Sequence, residues 1–437
     1  MTAPPESTTG RLPVLWLYGP PGVGKSTIGW ELFTRFSAAG RRIGYLDLDQ
    51  VGMCYGPPTA QSWTPEPLSD PGRHQLQART LDAMLPSFAA AGADAVVVSG
   101  LAHRDRGADA ALLPHAALTA IRLRTERPAL RRRLEGRGRT GEDVDDGLRY
   151  ADDLDRLPGD ALDTTDLDIS ETIRLVQSWS AAWADFQHDP AVHTVDQQPC
   201  ARLPDASSPG RLLWLCGPTA VGKSTIGWQV YEQAARAGLH TAFVDLQQIG
   251  FLRPPEPADP HGHKLRAGNL AVLWRHVRAA GARQLVIVGS LESQDALSTY
   301  LDALPTGTLT VCRLRAQPDQ LRERIALRGR GQGPPIAGDE LTGQPPAVLA
   351  RAVDEAAREA ERLERAAPGD FFLDTDHRPP PELAEEILRR ASWLPRASGQ
   401  PKTFSAENQV PGTARSSGKD TDSAISSRTG ISFERSG

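Results

Sequence analysis

One pattern occurs twice in this chain of 437 residues and restricts what each copy can fold into. Gly19-Pro20-Pro21-Gly22-Val23-Gly24-Lys25-Ser26-Thr27 and Gly217-Pro218-Thr219-Ala220-Val221-Gly222-Lys223-Ser224-Thr225 both fit G-x-x-x-x-G-K-[ST]. Glycines at the two fixed positions let backbone N–H groups turn inward around phosphate oxygens. The lysine reaches the β and γ phosphates of a nucleotide, and the hydroxyl after it can hold Mg²⁺. Each copy follows an apolar run, Val14 to Tyr18 or Leu212 to Cys216, that reads as a buried strand. Each leads into a helical pattern whose N-terminus favours an anion. The candidate nucleotide-binding residues are Gly19, Gly22, Gly24, Lys25, Ser26 and Thr27, then Gly217, Gly222, Lys223, Ser224 and Thr225. The ligands these residues suit are ATP and Mg²⁺, with Ser26 and Ser224 on the metal. A Gly/Pro turn with a chance lysine is the alternative. Only five lysines occur in the chain, the other 44 of its 49 basic residues being arginine, and two of the five sit in these motifs.

The rest of the chain also repeats. Trp16, Trp30, Gly40 and Asp47 match Trp214, Trp228, Gly238 and Asp245 at constant spacing. Tyr45 to Gly52 answers Phe243 to Gly250, and a Pro-rich loop follows in both (Pro57-Pro58, Pro254-Pro255). His74 and His263 each open an amphipathic helix. Continuous apolar runs at Ala95–Gly100 and Leu285–Gly289 fit strands covered on both faces of a parallel sheet. A fourth strand, an Arg-rich helix, a Gly/Arg loop, a polar helix, an Asp-Thr strand end and a last helix (Ser170 to Phe186; Pro381 to Trp393) complete each copy. Strand alternating with helix means α/β with a parallel sheet. A period of about 190–210 residues is too long for a solenoid, so it marks a duplicated domain. The expected layout is a disordered tail (1–10), domain 1 (11–195), a linker (196–210), domain 2 (211–394) and a second disordered tail (395–437).

The formal net charge of −5 argues against a nucleic-acid coat or an anionic-membrane binder. Four cysteines without C-x-x-C or metal spacing suit a reducing cytosol. The first ten residues lack an apolar core and a positive region, and no apolar run nears the ~20 residues that cross a bilayer. The expectation is a cytoplasmic protein.

The two loops, Asp47-x-Asp49 after the second strand, and Arg137-x-Arg139 in a Gly loop after the fourth strand together resemble the small P-loop kinases. That group is typified by shikimate, gluconate and adenylylsulfate kinases and chloramphenicol phosphotransferase. The chain is also similar to single-domain P-loop proteins with the same Asp-Leu-Asp-Gln-x-Gly stretch. The resemblance implies two tandem P-loop NTPase domains of nucleoside/shikimate kinase type, each a five-stranded parallel sheet between helices. It implies that the γ-phosphoryl of ATP moves to a small-molecule acceptor, by charge neutralisation and alignment. Lys25 and Lys223 would draw charge from the phosphates. Arg137 and Arg139, with Arg328 and Arg330 in the second copy, would close over the transferred group. Asp47 and Asp245 would face the acceptor, and Asp49 would support Mg²⁺ through water. Strand-end capping is the plainer role for Asp47 and Asp49. His74 and His263 are either acceptor contacts or ordinary helix-start histidines.

The chain departs from that pattern. Ser99 and Val288 stand where many P-loop ATPases carry an acidic residue, and no signature names the acceptor. Asp49 is replaced by Gln247, Arg79 by Gly268, and the second lid is longer, running from Gly331 to Pro346. Two further readings stay open: a nucleotide-binding switch or slow ATPase with one degenerate domain, and a polynucleotide kinase, which the acidic balance disfavours.

Overall fold

In the computed structural model, residues 11–51, 53–55, 71–180, 210–304, 307–332 and 338–394 are described. The expected disordered tails, the linker up to 209, Gly52, Pro57-Pro58 and the end of the closing helix toward Phe186 lie outside them.

The apolar runs form strands because a segment apolar on both faces is satisfied only between helix layers. In the first half these are β1 (Leu12–Tyr18), β2 (Ile43–Asp47), β4 (Ala95–Gly100), β5 (Ala116–Arg124) and β6 (Leu162–Asp163). Between them run α1 (Lys25–Ala38), α2 (Pro71–Ala90), α3 (Arg127–Glu135) and α4 (Glu142–Asp155), with α5 (Ile169–Trp179) last. The second half repeats the order: β7 (Gly210–Cys216), α6 (Lys223–Arg236), β8 (Thr241–Asp245), α7 (His263–Ala279) and β10 (Gln284–Val288). An extra helix, α8 (Gln294–Ala303), precedes β11 (Gly307–Arg315), α9 (Pro318–Gly329), α10 (Pro346–Ala366), β12 (Phe371–Asp374) and α11 (Pro380–Arg390).

Five parallel strands per sheet are corrected to six strands, five of them parallel. The sixth comes from the other half. β9 (Phe251–Arg253) pairs antiparallel with β2, with Phe251 opposite Tyr45. β3 (Cys54–Tyr55) pairs antiparallel with β8, with Cys54 opposite Ala242. The sheet orders are therefore β6-β5-β1-β4-β2-β9 and β12-β11-β7-β10-β8-β3. An edge row of unpaired N–H and C=O groups is a template for another strand, and here each half caps the other's edge.

The exchange carries side chains with it. Phe251 is buried against Trp30, Phe33 and Tyr45 of the first half, its ring 4.8 Å from Trp30 and edge-on. Met53, at the equivalent position, is buried in the second half's core with Trp228 and Phe243. One further apolar core joins both sheets. It includes Leu81, Leu85 and Phe88 of α2 with Leu270, Leu273 and Trp274 of α7. Gly268 on α7 lets Ser87 approach, since an added Cβ would lie 3.2 Å from its hydroxyl. Thr80 and His276 also meet across this seam at 2.9 Å. Among the described residues no helix is long and apolar enough to cross a membrane.

Residues 1–195 and 205–395, expressed apart, would each expose an unpaired strand edge and an apolar helix face. They should therefore aggregate singly and form a 1:1 complex when co-expressed, as read by size exclusion with light scattering. Two lone monomers that each melt at the temperature of the full chain would contradict this.

Candidate nucleotide site

Each loop is a backbone device. Gly19 ends β1 where a Cβ would stand 2.3 Å from the Leu123 carbonyl oxygen, and at Gly217 it would stand 2.6 Å from that of Leu314. Gly24 (φ 107) and Gly222 (φ 103) cap α1 and α6 in the left-handed region. With no side-chain cap, the first N–H groups of each helix face the loop. Gly22 is also left-handed at φ 85, but its counterpart Ala220 holds φ 65 with a Cβ. The second loop keeps the shape at a conformational cost.

Lys25 is buried at the bottom of the first loop, with Nζ donating to the Pro20 carbonyl at 3.0 Å. Burial pulls its pKa down to about 8, opposed by the charges of Asp49 and Asp47 and reinforced by Arg137 and Arg139. All four expected partners thus lie within electrostatic reach of the lysine. Asp47 ends β2 and does two things. Its Oδ1 accepts from the Asp49 N–H at 3.0 Å, which is the capping role, and Oδ2 faces Ser26 Oγ at 3.5 Å. Burial, then the neighbouring Asp49 charge, pushes Asp47 up to about 7. Asp49 is half-buried and accepts from the Leu101 N–H at 3.1 Å. Ser26, Asp47 and Asp49 offer the oxygen donors that suit Mg²⁺. Ser99, opposite Asp47 in the sheet, is bonded to the Tyr45 hydroxyl at 2.8 Å and loosely to Ser26 at 3.5 Å.

In the second half Lys223 Nζ donates to the Gly217 and Pro218 carbonyls at 2.8 and 3.0 Å. Ser224 Oγ is 2.8 Å from Asp245 Oδ2, and Asp245 Oδ1 takes the Gln247 N–H at 3.0 Å. Phe243 and Val288 replace Tyr45 and Ser99, so the hydroxyl pair behind the first site has no equivalent. Burial draws the Lys223 pKa down, and Glu359 is the leading charge that opposes it, ahead of Asp245. Glu359, on α10, accepts from the Thr219 N–H at 2.8 Å and the Thr219 hydroxyl at 3.1 Å. Thr219 is a loop residue.

The lids differ as well. Burial, Arg139 and Arg133 pull the pKa of Arg137 down, and among the described residues neither Arg137 nor Arg139 makes a side-chain ion pair. Arg328 instead grips Asp339 with two nitrogens, at 2.9 and 3.1 Å. Arg330 has no described side-chain partner. His74 is buried with its ring 6.4 Å from that of Tyr150, and His263 pairs with Glu292 at 2.9 Å.

Sequence reasoning missed a brace. Arg133, in the Arg-rich helix, donates to the loop carbonyl of Val23 at 3.5 Å and to Thr164 O at 2.9 Å. Arg324 does the same to Val221 O and Thr375 O, at 3.0 and 2.9 Å. The threonine of each Asp-Thr strand end thus ties β6 or β12 to the loop. The signal was the same arginine in both copies.

Two outcomes follow from this geometry. Replacing Ala220 by Gly should leave stability unchanged or raise it by about 1 kcal/mol in denaturant titrations, because left-handed alanine costs roughly 1–2 kcal/mol. At an ordinary helical site the same change costs about 1 kcal/mol. For Asp47, the ordinary pKa is 3.8 and the folded value is about 7. Between them the folded chain holds a proton that the unfolded chain has lost, so stability falls as pH rises through that window. Asp47→Asn should then be more stable than wild type above pH 7, by about 1–3 kcal/mol, and the gap should close toward pH 4. A gap independent of pH would show that Asp47 is not held protonated.

The chain is similar in structure to P-loop small-molecule kinases. It aligns with the tunicamycin resistance protein of Deinococcus radiodurans at 18% identity and TM-score 0.28, over 41% of this chain and 95% of that one. The gluconokinase from Sinorhizobium meliloti 1021 aligns at 18% and 0.29, over 42% and 92%. The APS kinase of Mycobacterium tuberculosis, solved with AMPPNP and APS, aligns at 20% and 0.25, over 41% and 96%. No protein-family model matches the chain, and no curated protein does.

Proposed function

We propose that the first half is an ATP-dependent phosphotransferase that moves the γ-phosphoryl group to a hydroxyl or phosphate of a small molecule. The supporting observation is the charge layout at the first loop. Arg137 and Arg139 lie within electrostatic reach of Lys25, and among the described residues neither arginine forms an ion pair, although Asp143 feels the charge of Arg139. A polyanion would supply the missing charge. Phosphoryl transfer asks for positioning and charge stabilisation more than for covalent chemistry.

In this reading Lys25 and the loop N–H groups bind the β and γ phosphates. Ser26 and Asp49 would hold Mg²⁺, which would supply positive charge against the phosphates. Arg137 and Arg139 exclude water and stabilise charge that spreads over the transferred group. Asp47, poised near neutral pH by burial, accepts the proton of an acceptor hydroxyl at one oxygen while its backbone contact fixes the other. Tyr150, on α4, feels the charge of Asp49, and its hydroxyl is bonded to the backbone of Ala102 at 2.6 and 2.9 Å.

The test is a screen of small metabolites with ATP labelled at the γ phosphate. Transfer should need Lys25. Asp47→Asn should keep ATP affinity and lose about 10²–10⁴-fold in transfer. Transfer at the wild-type rate by Asp47→Asn would remove its assigned role. ATP turnover that no acceptor accelerates would favour the switch reading.

A further inference from the structure

The second loop is already partly filled by the protein itself. Glu359 sits on a helix whose exposed faces are crowded with Arg and Glu, yet it lies on the buried stripe Ala356, Glu359, Leu363. It is 8% exposed and takes hydrogen bonds from the loop residue Thr219, through its N–H and Oγ1, and from Ser290 Oγ beyond β10 at 3.4 Å. A buried carboxylate is stable only where donors and positive charge meet it. Here they are the ones a phosphate would use.

Among the described residues the first loop receives no such carboxylate. Arg122 and Arg313 occupy equivalent places and donate to Leu154 O and Leu363 O at 2.6 and 2.5 Å. Four residues before each acceptor stand Tyr150 and Glu359, so a neutral phenol replaces the carboxylate. Opposite it in the loop stands Pro21 in place of Thr219, with no N–H to give. The lid agrees, since Arg328 is held by Asp339 where Arg137 has no ion pair among the described residues. Two of the positive charges that would face a terminal phosphate are answered internally. The helix-start N–H groups beyond Gly222 receive no such carboxylate among the described residues.

We propose that Glu359 stands in for the terminal phosphate, so that the second half is a site for a nucleoside diphosphate and rejects the triphosphate. This rests on the reading of both loops as nucleotide sites. A γ phosphate brought beside Lys223 would share that lysine with a buried carboxylate, and like charges at close range in a poorly solvated pocket repel strongly. A diphosphate fits the part of the cradle that Glu359 leaves free. The residue therefore sets ligand class.

The experiment uses the full chain carrying Lys25→Ala, so that only the second loop binds, with calorimetric titration of Mg·ADP and Mg·ATP. ADP is expected to bind at least about tenfold tighter than ATP. Adding Glu359→Gln, of nearly the same size, should narrow that ratio to about one by strengthening ATP. Equal affinities for ATP and ADP without the Glu359 change would overturn the inference, and need no variant at Glu359. An unchanged ratio in a folded Glu359→Gln chain, checked by its melting curve, would also overturn it. Failure of the second loop to bind either nucleotide, with and without Glu359→Gln, would instead count against the reading of that loop as a nucleotide site.

Discussion

A buried ammonium next to a ring of inward-facing N–H groups is out of electrostatic balance until something negative arrives. That imbalance organises both ends of this molecule. Lys25 is buried and Lys223 half-buried among carbonyl oxygens of their own loops, contacts too weak to replace full hydration. The first half leaves the balance open and places two carboxylates beside the lysine, Asp47 and Asp49. The second half closes the balance from within, through Glu359 and Asp339. The same loop sequence class therefore serves two electrostatic states, and the difference lies in helices far along the chain.

Much of the fold was legible because buried parallel strands leave an unambiguous trace. Ala95–Val98 and Leu285–Val288 are runs of Val, Ile, Leu and Ala that suit no half-exposed element. The loops were legible because glycine, lysine and serine at fixed spacing have few other uses. The exchanged strands were not legible. Cys54–Tyr55 and Phe251–Arg253 are two and three residues long, too short to show a period, and their partners are distant in sequence.

Two charges that reach the loops went unremarked for one reason. Arg133 and Glu359 lie in helices dense with ionisable residues, and in such a helix sequence alone suggests solvent. Position on the stripe was the available clue: Glu359 falls three residues after Ala356 and four before Leu363, both buried. Arg133 was marked by recurrence at Arg324. Asp47 was read as either a cap or a reactive group, and the geometry shows that one carboxylate can cap with one oxygen and face Ser26 with the other.

The reciprocal edge pairing has a consequence for how the two sites can differ. An assembly of two identical chains that traded the same strands would have to change both sites whenever it changed one. Here the partners are joined in one polypeptide, so their encounter is governed by a fixed effective concentration and dilution cannot part them. Each loop can then drift alone, as Ala220 has drifted from Gly22 and Gln247 from Asp49, while Phe251 and Met53 continue to hold the opposite cores together. Covalent pairing converts an enforced symmetry into a licence for division of labour, with every molecule carrying one copy of each version.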